Sequence, residues 1–565
     1  MLPIRVLSEI VPVTAPQPRT PFTAGRRQGP PRSKTRLTLL ILVILAAILR
    51  LYHLGHLSLW YDEAATVVLS RDISVLPQSL STSAPLPFVI AHYWNLFGHS
   101  ELWIRLWAAL FGIALVPLIW AIGKRLFGER AGLYAAALIA VNPLFVYYSQ
   151  EARAYSLLPF FIVASAYCWL IALYRRNWLA PGLCAAFSLA LAFYSHYYSV
   201  LWILSIPLSI LIAARTKRNL VSAIWLDAKI LVISLIFVAP WLAVFYDKAT
   251  TTVSVADFWV PKPGLGVLLT SLKNMSAGFQ APPTAGAIAA AIIALGAVTG
   301  IICSLTRGRA TEIRFVLVNL LLPIAAAFLI SKIAKNSVYL DRCLIPSAAF
   351  LMLLAGYGIS TLRRSVAWPI FLVFGCLISA SLYNHYHNII PDQKCCPGVR
   401  QRKEFRQSAE YIKSQIREGD LIGHTCRSSL APFMVYFPEE QSQVVLASSR
   451  EHRANIMRKY PYKGLWASKL SEMTLPIAVS DIPAGYRRLF LIGSEWDIDK
   501  GDFYSIEKRT ILEHLDSMYP LQSHKEFYGA PVYVYDLAHP RVIKGTSVGT
   551  EVGSQAEPTN SQDSQ

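Results

Sequence analysis

The feature that most limits what this chain can fold into is a series of long apolar runs, beginning at Leu37 and ending near 386. A helix that crosses a bilayer needs roughly 20 predominantly apolar residues. Runs of that order fall near 37–54, 101–123, 131–149, 155–174, 178–195, 199–214, 226–246, 285–305, 314–331, 343–360 and 366–386, about eleven in all. Hydrophobic residues make up 54% of the 565 and charged residues only 15%, against roughly a quarter charged in a soluble domain. A soluble enzyme, a disordered hub and a secreted disulfide scaffold are thereby excluded. The expectation is an all-α polytopic membrane domain over 37–386.

Charge then orients the bundle. Lys and Arg total 53 against 34 Asp and Glu, a net charge of +19. In so apolar a chain that excess reads as basic loops on the inner side of a membrane and not as a nucleic-acid surface. Every second connection carries the cations: Lys124, Arg125 and Arg130; Arg175 and Arg176; Arg215, Lys217 and Arg218; Arg307, Arg309 and Arg314; Arg363 and Arg364. The pattern predicts a multi-pass inner (plasma) membrane protein with a cytoplasmic N-terminus. Residues 1–36, rich in Pro and Arg, read as a disordered basic tail. The first run has no small-residue cleavage site and reads as a signal anchor.

The outer side then receives 55–100, 150–154, 196–198, 247–284, 332–342 and everything after about 387. Segment 387–545 is soluble in composition. Residues 403–417 read as an amphipathic helix, and 420–423, 444–446, 489–492 and 532–535 as short buried strands. They predict a small C-terminal α/β extracytoplasmic domain, followed by a disordered tail over 546–565. Cys168, Cys184, Cys303 and Cys376 lie in apolar runs and read as small buried hydrophobes. Cys395, Cys396 and Cys426 fall in the polar region, where the sequence leaves a disulfide open.

Ionisable residues at the ends of spans are costly and have a partner or a task. Asp62 and Glu63 follow the first span between aromatics, in Trp60-Tyr61-Asp62-Glu63-Ala64. Adjacent residues on a helix point about 100° apart, so one carboxylate can face a cavity while the other pairs. The plainer reading is a solvated loop start in an aromatic belt. Glu151 and Arg153 sit among tyrosines in Tyr147-Tyr148-Ser149-Gln150-Glu151-Ala152-Arg153-Ala154-Tyr155, as a local ion pair or as substrate contacts. Lys335 and Arg342 put cations on the side the basic loops avoid. They either snorkel to headgroups or meet a phosphate, which suits arginine's forked donors. His196 and Tyr197 add polar groups at another outer turn. No Walker loop, dinucleotide fingerprint or HExxH motif is present.

Together these pieces resemble the polyprenyl-phosphate-sugar-dependent membrane glycosyltransferases of the C-type fold. That family includes protein O-mannosyltransferases, lipid A aminoarabinose transferases and rhizobial-type lipopolysaccharide-core transferases. Trp60-Tyr61-Asp62-Glu63-Ala64 resembles the family's first acidic motif, and Tyr148-Ser149-Gln150-Glu151-Ala152-Arg153-Ala154-Tyr155 its second. Ala84-Pro85-Leu86-Pro87-Phe88 with Arg105-Leu106, Tyr194-Ser195-His196-Tyr197 and Asp341-Arg342-Cys343-Leu344 are similar to three further motifs, in family order. Two departures touch cavity positions: Ser83 and Ala84 stand where the family has a histidine, and Cys343 where it has a tyrosine.

The resemblance implies transfer of a hexosyl or pentosyl group from a polyprenyl-phosphate donor to a hydroxyl on a lipid, glycan or protein, at the outer membrane face and with inversion. It implies Asp62 as base and Glu63 as its neighbour in positioning. Glu151, Arg153, Tyr155, His196, Tyr197, Lys335 and Arg342 then become substrate-binding residues. Glu151 would brace Arg153, bind the acceptor, or share a divalent metal ion with Asp62. The alternative is a transporter or flippase of lipid-linked sugars. Such proteins often show internal repeats and polar residues near the bilayer midplane, whereas here no repeat is visible and the ionisable residues cluster at span ends.

Overall fold

The computed structural model describes residues 33–79, 83–175, 177–213, 217–254, 260–392, 399–437, 442–459, 475–494 and 503–541. Most of the basic N-terminal segment, the C-terminal tail, Arg176, Arg215, Cys395 and Cys396 lie outside the described residues. Contacts divide the chain into two units: one takes the chain up to Ala409 together with Ala431–Pro438, and the other is built on the C-terminal strands.

The first unit is helical. Its elements are α1 (Ser33–Leu51), α2 (Tyr61–Leu69), the single turn α3 (Leu76–Ser79), α4 (Leu86–Trp94), α5 (Glu101–Phe127), α6 (Glu129–Val141), α7 (Pro143–Ser149), α8 (Leu157–Tyr174), α9 (Leu179–Ser195), α10 (Val200–Ala213), α11 (Lys217–Ser254), α12 (Val267–Ala277), α13 (Pro283–Thr306), α14 (Ala310–Ile333), α15 (Ile345–Thr361) and α16 (Arg364–Tyr386). Each apolar run falls on one of these helices, except 131–149, which is divided between α6 and α7. Among the described residues, seven helices are long and apolar enough to cross a membrane, or eight if the bent pair α6 and α7 counts as one. The chain is a multi-pass membrane protein. Of the shorter runs, α9 and α10 fall below the spanning length, while α1 carries Lys34, Arg36 and Arg50 within 19 residues.

Two local features shape this bundle. First, α6 and α7 meet at 58°. Pro143 has no N–H, so the Ile139 carbonyl four residues earlier loses its helical donor. Arg50, fully buried, supplies the replacement, donating to Ile139 O at 3.0 Å and Ala140 O at 2.8 Å. Asn142 Oδ1 then caps Leu144 N–H at 2.9 Å. The bend is therefore built in by sequence and stabilised by one buried arginine. Second, α15 is almost wholly buried and lies against α13 and α6. A side chain at Gly358 would collide with the Gly296 carbonyl of α13, so close backbone approach takes the place of large interdigitating side chains.

Three of the basic connections meet at one end of this unit. Lys124 pairs with Glu129, Thr35 donates to the same carboxylate, Arg130 reaches the Leu362 carbonyl, and Arg309 reaches the Leu126 carbonyl. The acidic and arginine motifs described next lie at helix ends away from these contacts.

The second unit holds a six-stranded sheet in the order β3-β2-β1-β4-β6-β5, with β1 (Asp420–His424), β2 (Gln443–Ala447), β3 (Ile477–Ala478), β4 (Arg488–Ile492), β5 (Leu521–Lys525) and β6 (Val532–Asp536). The first four strands are mutually parallel, and β6 runs antiparallel to β4 and β5. β1 is buried along its whole length, as a parallel strand covered on both faces should be. Asp420 and Arg488, paired in register, close the start of the sheet with an ion pair of 2.6 Å. The four expected strands are all present. β3 and β5 were not expected: β3 has two residues, and β5 is a fully exposed polar edge with no apolar alternation to betray it. The expected amphipathic helix is shorter, α17 (Phe405–Lys413). Residues 399–409 belong to the helical unit. Cys426 is buried.

Candidate active site

The site is built at one end of the helical unit from α2, the turn after α7, the turn before α10, the start of α15 and the chain beyond α16. Its base is α2, whose first turn carries Asp62 and Glu63. Carboxylates are favoured there by the helix dipole. The two neighbours diverge. Glu63 is fully buried, while the Asp62 side chain keeps 26% of its exposure.

Glu63 is held by two arginines. Arg105 grips it bidentately, Nε to Oε1 and Nη2 to Oε2, both at 2.8 Å. The rest of that guanidinium donates to the carbonyls of Leu54, Leu57 and Ser58. Arg402 Nη1 reaches Glu63 Oε2 at 3.2 Å, and Ala152 N–H donates to Oε1 at 3.0 Å. Burial alone would raise Glu63, but Arg105 and Arg402 outweigh it and bring the carboxyl down to about 2. So tied, Glu63 positions the turn and is not itself open to substrate.

Glu151 does not hold Arg153, contrary to one of the roles expected for it. The Arg153 N–H closes on the Glu151 carbonyl at 2.7 Å, a three-residue turn that sends the two side chains apart. Glu151 Oε1 instead receives Arg402 Nη2 at 2.6 Å, while Arg153 turns to Thr66 Oγ1 at 3.0 Å and Asp62 Oδ2 at 3.9 Å. Arg402 thus bridges both buried glutamates, with its guanidinium over the Trp60 ring at 4.9 Å. Burial raises Glu151 to about 7; Arg402 opposes the rise and Glu63 adds to it.

A prediction follows from that shift. A buried carboxyl that holds its proton more tightly folded than unfolded stabilises the fold less as it ionises. Glu151 therefore favours the folded state at low pH and loses that advantage as pH rises from about 4.5 to about 7. The wild-type melting temperature is expected to show this decline and Glu151→Gln to lack it. Equal slopes in the two proteins would refute the assignment.

On the other side of Asp62 stand Arg153, Arg342, Tyr155 and His196. The Arg342 guanidinium lies 5.7 Å from the Tyr155 ring centre, and Tyr155 faces the His196 ring at 6.0 Å. Tyr198 N–H donates to His196 Nδ1 at 3.2 Å, which places the ring proton on Nε2, facing Cys343 Sγ at 3.6 Å. Burial, with Arg153 and Arg342 nearby, lowers His196 to about 3. It is a neutral hydrogen-bonding group. Cys343, the departure from the family pattern, is thus packed against a motif histidine. Asp341 is anchored by Ser271 and Asn274 of α12 at 2.5 and 2.6 Å, which fixes the segment carrying Arg342.

Two expected residues are placed elsewhere. Tyr197 accepts from Trp241 Nε1 at 2.9 Å and packs on Phe193 and Phe245, towards α11. Lys335 is exposed on the segment between α14 and α15. Arg402 was missed because it stands among other cations, Arg400, Lys403 and Arg406, in a segment of soluble composition. Arg105 stood inside a quoted motif, but only the fold shows whom it serves. As for a divalent ion, among the described residues no group of three or more His, Cys, Asp or Glu side chains comes together. Asp62 and Glu151 already face Arg153 and Arg402.

A family model described as dolichyl-phosphate-mannose-protein mannosyltransferase matches residues 83–244. No curated protein matches by sequence. Among solved structures, the chain is similar to ArnT from Cupriavidus metallidurans in the apo state, with 13% identity, 89% of this chain and 98% of that chain covered, and a TM-score of 0.58. The same protein bound to undecaprenyl phosphate matches at 14% identity over the same shares, with a TM-score of 0.56. The archaeal oligosaccharyltransferase AglB from Archaeoglobus fulgidus, in complex with an inhibitory peptide and a dolichol-phosphate, matches at 11% identity, with 89% of this chain and 74% of that chain covered and a TM-score of 0.51. At these identities the likeness shows the fold. The chain is folded as ArnT and AglB are, the architecture that the sequence resemblance implied.

Proposed function

We propose that this protein transfers a sugar from a polyprenyl-phosphate donor to an acceptor hydroxyl on a lipid, glycan or protein, with inversion at the anomeric carbon. The observation that carries the reading is the division of labour among three carboxylates. Glu63 and Glu151 are buried in ion pairs, and Asp62 alone of the three stays open, with Arg153 and Arg342 grouped beside it through Tyr155. The relatives in fold have been captured with undecaprenyl phosphate and with a dolichol-phosphate, which supports a lipid-phosphate donor here.

In this mechanism Asp62 takes the proton of the acceptor hydroxyl as its oxygen bonds to the anomeric carbon. The bond from that carbon to the phosphate oxygen breaks, and its electron pair leaves on the phosphate. Arg153 and Arg342 receive the developing charge. His196 and Tyr155 shape the donor side as neutral hydrogen-bonding groups. The topology proposed is eleven spans with the N-terminus cytoplasmic. The site and the C-terminal unit then lie on the outer face, which the meeting of three basic connections at the other end of the helical unit supports.

The test is transfer in proteoliposomes, with radiolabelled sugars on polyprenyl phosphate and membrane extract as acceptor. Label passing to a product is expected; label crossing the bilayer unchanged would replace the enzyme with a transporter. Within that assay Arg342→Ala is expected to raise the donor KM about 10–100-fold for every acceptor, the scale of a lost charge-assisted hydrogen bond. A loss confined to one acceptor would move Arg342 off the phosphate.

A further inference from the structure

The helix α12 is too short to cross a membrane, yet it is built into the site. Its 11 residues extend about 16 Å at 1.5 Å per residue, half of a bilayer core of about 30 Å. One face is bonded inward. Ser271 and Asn274, both buried, hold the Asp341 carboxylate beside Arg342. Asn142, at the bend between α6 and α7, donates to the Met275 and Ser276 carbonyls at 2.9 and 3.2 Å. Gly278 ends the helix with φ at 79°, and a Cβ there would lie 2.9 Å from the Pro143 side chain.

The opposite face is apolar and open. Leu265, in the turn before the helix, is 76% exposed, Leu269 is 74% exposed, and Leu268 is exposed as well. On a helix Leu269 is turned about 200° from Ser271, so the face that grips Asp341 and the bare face are opposed. A helix bathed in water would carry polar residues there. Its neighbours in the chain say what covers these leucines. α12 packs on α13, which begins at Pro283, and Asp341 opens the apolar segment Asp341–Thr361. Both contacts are ends of spanning segments, which places α12 at the boundary of the hydrocarbon. Along their spans α13 and α14 expose Ile288, Leu295, Leu329 and Ile330 in the same way. Lys262, exposed, and Lys273, half-buried, flank the leucines, and cations at that depth reach lipid headgroups.

We propose that α12 docks by Leu265, Leu268 and Leu269 into the lipid around the end of the bundle that carries the site, and through Ser271 and Asp341 holds Arg342 at the depth of the donor phosphate. The bilayer is then a partner of the site and not only its solvent. An apolar helix face of this kind sits about 5–10 Å into the boundary of headgroups and acyl chains. It thereby fixes the height of whatever is bonded to its other face. The hold on Arg342 rests on the transfer reading; the docking does not, because it needs neither donor nor turnover.

The test places the photoreactive residue benzoylphenylalanine at Leu265 or Leu269 of the full-length protein, in nanodiscs of phosphatidylethanolamine and phosphatidylglycerol with tritiated acyl chains. Light is expected to attach lipid label at both positions, as at Leu295 of α13, and to attach none at Gln522, exposed on β5. Label at Leu295 but at neither of the two would overturn the docking, as would capture of a second copy of the chain in place of lipid. In the transfer assay, Leu265→Gln joined to Leu269→Gln is expected to raise the donor KM about 2–10-fold with kcat kept, the scale of one loosened hydrogen bond. Ser271→Ala should do the same, and combining it with the leucine pair should add little, because all act through Asp341. Should Ser271→Ala lower the melting temperature, Ser271→Cys, of similar size and a weak donor, takes its place. An unchanged KM for the leucine pair, or effects that add in full, would sever this face from Arg342. A wild type that captures lipid but transfers nothing would discard the transfer reading, and the hold on a donor phosphate with it, while the docking stands.

Discussion

Replacing Asp62 with asparagine is expected to slow sugar transfer by about 10²–10⁴-fold, the range lost with a general base, while donor affinity stays as in wild type. The amide keeps the shape and the hydrogen-bonding oxygen but cannot take the acceptor's proton. Little else should change. The substitution removes only the part-exposed ion pair with Arg153 at 3.9 Å, and such pairs contribute about 0–1 kcal/mol. Single-turnover rates with saturating labelled donor, beside equilibrium binding of the same donor, separate the two effects. Normal turnover in the variant would remove Asp62 from the chemistry and direct attention to Glu151, the carboxylate that titrates near neutrality.

Glu63→Ala should act in the opposite way, through the fold. It leaves two buried guanidinium groups, Arg105 and Arg402, facing an empty position. Breaking a buried ion pair from one side costs about 3–5 kcal/mol, a large part of a typical stability of about 5–15 kcal/mol. A markedly lower melting temperature is expected for Glu63→Ala, against an unchanged one for Asp62→Asn. Transfer should fall as well, because the Ala152 N–H that Glu63 accepts belongs to the turn presenting Arg153. Glu63→Asp, keeping the charge one methylene short, should recover part of both. If Glu63→Ala melted like wild type and lost only kcat, Glu63 would be a catalytic group and not a positioning one. Desolvating four charges seldom adds net stability over an apolar core. The lattice is better understood as fixing geometry.

Much of the fold was legible because apolar length and loop charge are properties of contiguous residues. Each run near 101–123, 155–174 or 343–360 reads as a helix, since a single run of that length satisfies its own backbone groups in hydrocarbon only in that form. The strands at Leu421, Val445 and Phe490 announced themselves as short apolar stretches between polar turns. β5, reading Leu-Gln-Ser-His-Lys, carries no such signal, because its pairing comes from β6 beside it.

The site divides the same way. Its ingredients, Asp62, Glu151, Arg153, His196 and Arg342, could be picked out by their chemistry at span ends. Who pairs with whom could not. Glu151 and Arg153, two residues apart, looked like partners, yet the tight turn between them sends Glu151 to Arg402, 251 residues away. Arg105 and Arg50 are ordinary arginines in sequence, and only the packed helices show one gripping Glu63 and the other healing the break at Pro143. The sequence by itself determined which segments are apolar helices, which connections are basic and which chemical groups are present. The tertiary structure decided which carboxylates are neutralised and which one stays open, because ion pairing depends on distance and burial across the fold, and neither is written in the spacing along the chain.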